Sequence, residues 1–217
     1  CKVRLHLLFE SLRGGIADAQ LTDGQACERK ALKKMIRAGK LYVGDRYYGM
    51  EYDYFESFAQ KKADFVFRIK ANAVYEVLEE RPIGTEGAAY GVASDRLVRF
   101  PHASGTSVWR LVTVRREDKE FLLLTSRLDI DADVVGMLYR HRWEVELFFK
   151  WIKCILKCQH FLLETPHGVA IQIYTALILA LLLSSLTGKR PTKRQMEAIQ
   201  LHLMGYCSEA ELEKSLF

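Results

Sequence analysis

Tyr139, Arg142, Glu146, Lys150 and Lys153 fall within the stretch LYRHRWEVELFFKWIKCIL, from Leu138 to Leu156. Cations and a phenol around one carboxylate can make either a charged cleft or a solvated face. At about 100° per residue the five groups share one stripe roughly 80° wide on a helix. Leu138, Val145, Phe149, Ile152 and Leu156 form a core stripe beside it, and Trp143 and Leu147 border the other flank. Apolar borders on both sides predict a stripe that lines a cleft. The alternative is a solvent-facing surface in which Arg142–Glu146 and Glu146–Lys150 pair at i,i+4 spacing, each pair contributing only about 0.2–0.5 kcal/mol. A second carboxylate, Asp45, ends the short strand-like run KLYVGD. Ligand sites in α/β sheets gather at such strand ends, although an aspartate before Arg46 can equally serve a turn.

The elements that must position these groups can be read along the chain. KVRLHLLFE alternates apolar and polar residues as a half-buried strand does. Residues 27–40 have helical spacing with a Gly39 stop, residues 40–45 are strand-like, and residues 51–63 form an amphipathic helix. DFVFRIKAN is another strand, so this order predicts an α/β sheet covered by helices over residues 1–72. Residues 73–127 hold only short strand candidates between turn-rich loops, an all-β insertion. Helical periodicity returns over 128–188, opened by the acidic run DIDADV, and 189–217 form a basic helical tail. Ser208 and Glu211 have capping-box spacing.

The 217 residues are 49% hydrophobic, enough for one sizeable core, and the formal charge of +5 is compatible with a polyanionic partner. Five cysteines without a framework, and no signal peptide, fit a reducing, cytoplasmic setting. The chain starts at Cys1 and runs at once into a strand, as a fragment with a missing upstream part would. The apolar run from Ile171 to Leu186 carries Gln172, Thr175, Ser184 and Ser185 and falls short of the ~20 residues a span needs, which predicts a buried core helix and no membrane.

The arrangement Tyr139-x2-Arg142-x3-Glu146-x6-Lys153 resembles the Y-(2)-R-(3)-E-(6)-K signature of the IS-four family of bacterial insertion-sequence transposases, which are DDE enzymes. LYVGDRYY, DFVFRIKAN, LLLTSRLDIDADVVGMLYRHRWEVELFFKWIK and GKRPTKR resemble the same family, so the likeness runs from about Lys2 to Glu211. It implies a ribonuclease H-like mixed sheet flanked by helices, interrupted by an all-β insertion before the last catalytic helix. It also implies three carboxylates holding two Mg²⁺ ions, with Mn²⁺ as substitute, for in-line phosphoryl displacement. Asp45 and Glu146 match two of the three. The family's first aspartate sits on a strand upstream of KVRLHLLFE, the middle strand of the sheet, and nothing here precedes Cys1. Asp18 and Asp23, read as lying in the loop GGIADAQLTDG, cannot replace it. The chain is therefore expected to lack full catalysis and to be short of a central strand.

The same resemblance assigns Tyr139, Arg142 and Lys153 to phosphates at the transposon end, with Lys150 beside them. Trp143 resembles an aromatic that probes the base stack, where a core tryptophan is the competing reading. Arg68, Lys70 and Arg46 carry over as further DNA contacts. Lys189, Arg190, Lys193 and Arg194 form either a phosphate patch or a solvated helix start. The implied partners are transposon-end and target DNA and a second copy of the chain, since two DNA ends must be brought together. A catalytically inactive remnant that binds DNA or a full-length partner is the rival reading, and a non-transposing nuclease on the same fold is a third. Cys154, Cys158 and His160 lack the looped four-ligand spacing of a structural zinc site. The scattered histidines support no nucleophilic triad, and no glycine-rich nucleotide loop occurs.

Overall fold

The structure is a computed structural model that describes residues 3–12, 14–101, 107–156, 165–188 and 192–217, with 153–156 as backbone only. It divides into two compact units, Leu32–Arg142 and the combination of Cys1–Ala31 with Trp143–Phe217.

The Leu32–Arg142 unit is built on a six-stranded sheet. Strands β3 (Leu41–Gly49) and β4 (Asp64–Ile69) run parallel, joined by α2 (Asp53–Gln60), and the order continues through β8 (Lys119–Thr125), β7 (Trp109–Arg116), β6 (Val92–Arg99) and β5 (Glu76–Glu80), all antiparallel. The strands of the insertion thus extend the same sheet as β3 and β4. The insertion is not wholly β: RPIGTEGAAYG, expected as loop, contains a six-residue helix α3 (Thr85–Tyr90), which Gly91 ends at φ 95°.

Alternation along β4 sorts the two faces of this sheet. Phe65, Phe67 and Ile69 point to one side, where Phe55 and Phe58 of α2 and Trp109 of β7 complete an aromatic core; Phe55, Phe58, Phe65 and Phe67 are all 0% exposed. Val66 points to the other side, where Val112, Val114 and Leu123 meet Ala132 and Val135 of helix α4 (Ala132–His141). Asp131 is the N-cap of α4, as the acidic run before it predicts.

In the other unit, β1 (Val3–Glu10) pairs antiparallel with β2 (Gly15–Asp23). GGIADAQLTDG is therefore mostly strand, correcting the loop reading of Asp18 and Asp23. Its polar residues hid a half-buried face: Ile16, Ala19 and Leu21 pack with Val3, Leu5, Leu7 and Phe9 under Phe148 and Ile152 of α5 (Trp143–Leu156) and Val169, Ile173 and Leu177 of α6 (Pro166–Thr187). The core stripe of α5 runs through Phe148, which the angular reading missed, while Val145 and Phe149 are half-buried. Helix α6 is longer than the sequence suggested, 22 residues, and is apolar all round. It is not a fully buried core helix: Ile171, Ile178, Leu182 and Leu186 are more than half exposed. Its length and composition would suffice to cross a membrane. Helices α7 (Lys193–Leu203) and α8 (Glu209–Leu216) each begin with a capping box, Thr192 with Gln195 and Ser208 with Glu211. Helix α1 (Glu28–Met35) lies across the division between the units.

Candidate active site

Asp45 sits where the parallel ladder between β3 and β4 breaks. Gly44 is opposite Phe67 and Gly49 is opposite Ile69, so five steps on β3 face two on β4, and Asp45–Tyr48 bulge out between the two glycines. Neither glycine can carry a side chain without movement. A Cβ on Gly44 would stand 2.8 Å from the buried Phe67 ring, and one on Gly49 would stand 2.1 Å from the Arg68 carbonyl oxygen. Asp45 is exposed, and its Oδ1 accepts a hydrogen bond from the Tyr47 backbone N–H at 2.8 Å. The turn-forming geometry is therefore present, and β3 runs on to Gly49, so Asp45 lies within the strand and not at its end as KLYVGD suggested. Arg46 is exposed in the bulge.

Val43, two residues earlier, packs in the cluster beneath α4 and so marks that face of the sheet, while Asp45 itself lies in the bulge. Arg68 follows Val66 onto that face. Lys70 is exposed one residue past the end of β4. At this end of the sheet β8 begins, and the Arg68 guanidinium lies over the Phe121 ring, 4.7 Å from its centroid. The Tyr139 ring, on the last turn of α4, is 6.2 Å from Phe121 at a tilted angle, and the Arg142 guanidinium lies 5.6 Å from the Tyr139 centroid. The fold therefore brings Arg68, Tyr139 and Arg142 together. Phe121, which joins them, was missed by the sequence reading; its one signal there is its place in the alternation of KEFLLLT.

The long helix of the sequence reading is interrupted. Helix α4 ends at His141, the Arg142 N–H bonds the Tyr139 carbonyl at 3.1 Å, and α5 starts at Trp143. The five-residue polar stripe is consequently split, Tyr139 and Arg142 in one unit and Glu146, Lys150 and Lys153 in the other. Within α5, Glu146 and Lys150 are exposed, and the Lys153 side chain lies outside the described residues. Trp143 is 56% exposed and Leu147 45%, so Trp143 is no core tryptophan and the polar stripe on α5 has exposed apolar neighbours.

The approach to α4 is fastened by a buried ion pair. Arg110 on β7 donates from Nε and Nη2 to both carboxylate oxygens of Asp95, at 2.8 and 2.7 Å, and from Nη1 to the Ile130 carbonyl at 2.5 Å. Beside it Arg127 grips Asp129 through two hydrogen bonds of 2.7 Å, which hold that carboxyl down to about 2.

Asp45 and Glu146 offer hard oxygen donors of the kind Mg²⁺ takes, and Mg²⁺ is commonly held by one or two carboxylates with waters and substrate phosphates. Among the described residues no group of three His, Cys, Asp or Glu side chains converges. Of the other constellations, Cys158, His160, Lys189 and Arg190 lie outside the described residues, while Lys193 is exposed and pairs with Glu197 at 3.3 Å, as a solvated helix start would.

Comparison with known proteins decides the family: its description, Transposase DDE domain, matches residues 2–183. The chain belongs to this transposase family. The IS-four resemblance of the sequence fits that membership. A protein named as a transposase, y4zB, from Sinorhizobium fredii is 34% identical over 168 residues, 75% of this chain and 46% of that protein. A Geobacillus stearothermophilus protein named as a transposase for insertion sequence element IS5377 is 24% identical over 197 residues, 89% of this chain and 51% of its own length. A Synechocystis protein named for insertion sequence element IS4SA is 32% identical over 124 residues. This transposase chain spans about half the length of the first two relatives.

Proposed function

We propose that this chain is part of a DNA transposase that carries out divalent-metal-dependent phosphoryl transfer, nicking DNA at insertion-sequence ends and joining the freed 3′-hydroxyl to target DNA. The observation that carries the reading is the family match over residues 2–183, which takes in both Asp45 and Glu146. Those two carboxylates would hold the metal, together with the third carboxylate that the resemblance assigns to an upstream strand. When bound, a pair of such ions supplies Lewis-acid polarisation and charge neutralisation at the attacking and leaving oxygens. The chain's own groups do the rest. The Asx turn at Tyr47 fixes the Asp45 carboxylate in orientation, so less ordering is needed on binding. Arg68, Arg142, Lys150 and Lys153, with the Tyr139 hydroxyl, bind backbone phosphates and set the register of the DNA. Arg46 and Lys70 add charge at the rim. Exposed Trp143 stacks on a base beside the cut, where such contacts contribute ~1–3 kcal/mol. Two ends must meet, so the working form is a homodimer on DNA, in the cytoplasm and away from any membrane.

The test is a strand-cleavage assay with Mg²⁺ on this chain and on one extended upstream to include the strand that the resemblance assigns there. The extended chain should nick transposon-end DNA, and Asp45→Asn or Glu146→Gln should each lower that rate at least ~10³-fold, since neither leaves the ions properly held. Unchanged rates in both variants would refute the assignment. A second reading is an inactive remnant that binds DNA or a full-length partner. It predicts DNA binding without nicking in either length of chain.

A further inference from the structure

Arg68, Phe121, Tyr139 and Arg142 form an alternating file of cation, ring, ring and cation at one end of the six-stranded sheet. Its geometry is set by register. Arg68 is directly opposite Leu123 across the antiparallel β4–β8 pair, and Phe121, two residues along β8, is the diagonal neighbour on the same face. Arg68 makes no side-chain hydrogen bond or ion pair among the described residues, so its guanidinium rests on a ring face with its charge uncompensated. That contrasts with Arg96, Arg110, Arg115 and Arg127 in the same unit, each held by a carboxylate. A guanidinium set over an aromatic ring still has N–H donors to offer an anion. Half-buried Phe121 is itself braced from below by the cluster of Val66, Leu123 and Val135.

We infer that Phe121 is a positioning residue for DNA: its ring holds the Arg68 guanidinium ready for a backbone phosphate, and through Tyr139 it ties Arg142 into the same file. The inference rests on the DNA-binding reading given above and names a residue outside the Tyr139–Lys153 signature. Because a phosphate is the target, the contact should be independent of base sequence and should show in the salt dependence of binding.

The experiment titrates the chain with a short linear duplex of unselected sequence across a range of NaCl concentrations, for wild type, Arg68→Ala, Phe121→Leu, Phe121→Tyr and the Arg68→Ala/Phe121→Leu double variant. We expect Arg68→Ala and Phe121→Leu each to weaken binding roughly threefold to tenfold, the scale of a cation–π contact, and to lower the slope of log affinity against log salt by about one contact. The double variant should be no weaker than Arg68→Ala alone, and Phe121→Tyr, which keeps the ring, should behave as wild type. If Arg68→Ala weakens binding while Phe121→Leu leaves affinity and slope unchanged, the inference is overturned and the DNA reading stands. If Arg68→Ala has no effect, or the chain does not bind the duplex, the DNA reading of this face falls and the inference with it. Should Phe121→Leu unfold, Phe121→Met takes its place; if both unfold, the ring serves the core and the positioning role is overturned.

Discussion

Arg110 and Asp95 are the most deeply buried charged pair described, with side chains 2% and 3% exposed. Neither residue drew attention in the sequence, because WRLVTVRR reads as an ordinary alternating strand and gives no hint that its first arginine faces inward. The pair matters for the site because Arg110 also holds the Ile130 carbonyl, and so fixes where α4 begins and where Tyr139 ends up. Removing one member of a buried ion pair strands the other charge, which typically costs about 3–5 kcal/mol. Asp95→Ala should therefore lower unfolding stability in denaturant by that amount, while Arg110→Met with Asp95→Leu should recover most of it. A loss under about 1 kcal/mol for Asp95→Ala would mean the pair is not buried in the way described. The proposed metal ligands Asp45 and Glu146 were picked out by the family resemblance, since type and spacing alone left a turn aspartate and a solvated helix face as alternatives. Phe121 was not, since its role depends on a strand register that only pairing with β4 creates.

At the level of elements, the strands were read well where alternation was clean, as in KVRLHLLFE, where Val3, Leu5, Leu7 and Phe9 share the packed face. β2 was missed because glycines and aspartates mask a face that Ile16, Ala19 and Leu21 still supply. The continuous helix over 138–156 was also misread: periodicity carries through Arg142, but the chain tightens there into an i→i−3 bond and resumes as α5. On the opposite face of β1, buried His6 has its Nε2 2.7 Å from the Thr22 hydroxyl. Burial lowers the pKa of its imidazole, which Arg4 reinforces and Glu28 opposes. The fold thus favours neutral His6, so its contribution to stability is present above the ordinary value of 6.5 and is lost as the pH falls below it. The unfolding midpoint should drop between pH 7.5 and 5.5 in wild type and drop less in His6→Gln. An identical drop in both would remove His6 as the cause.

For the whole molecule, the proposed metal site would take Asp45 from one compact unit and Glu146 from the other. Glu146 was named because the family signature spans the break between α4 and α5, and Asp45 because it ends the run KLYVGD and matches a family aspartate; no periodicity argument could have revealed the division between them. Among the described residues β1 and β2 pair with each other, and β3 is an end strand of the six-stranded sheet. The account stands or falls on whether the two carboxylates share metal. A double-mutant cycle of Mn²⁺ binding, followed by electron paramagnetic resonance on the chain, Asp45→Asn, Glu146→Gln and the double variant, measures this directly. Shared ions require each single change to weaken Mn²⁺ binding by about tenfold or more, and the double change to add little further. Independent, additive losses, or an affinity that ignores Asp45 altogether, would contradict the account.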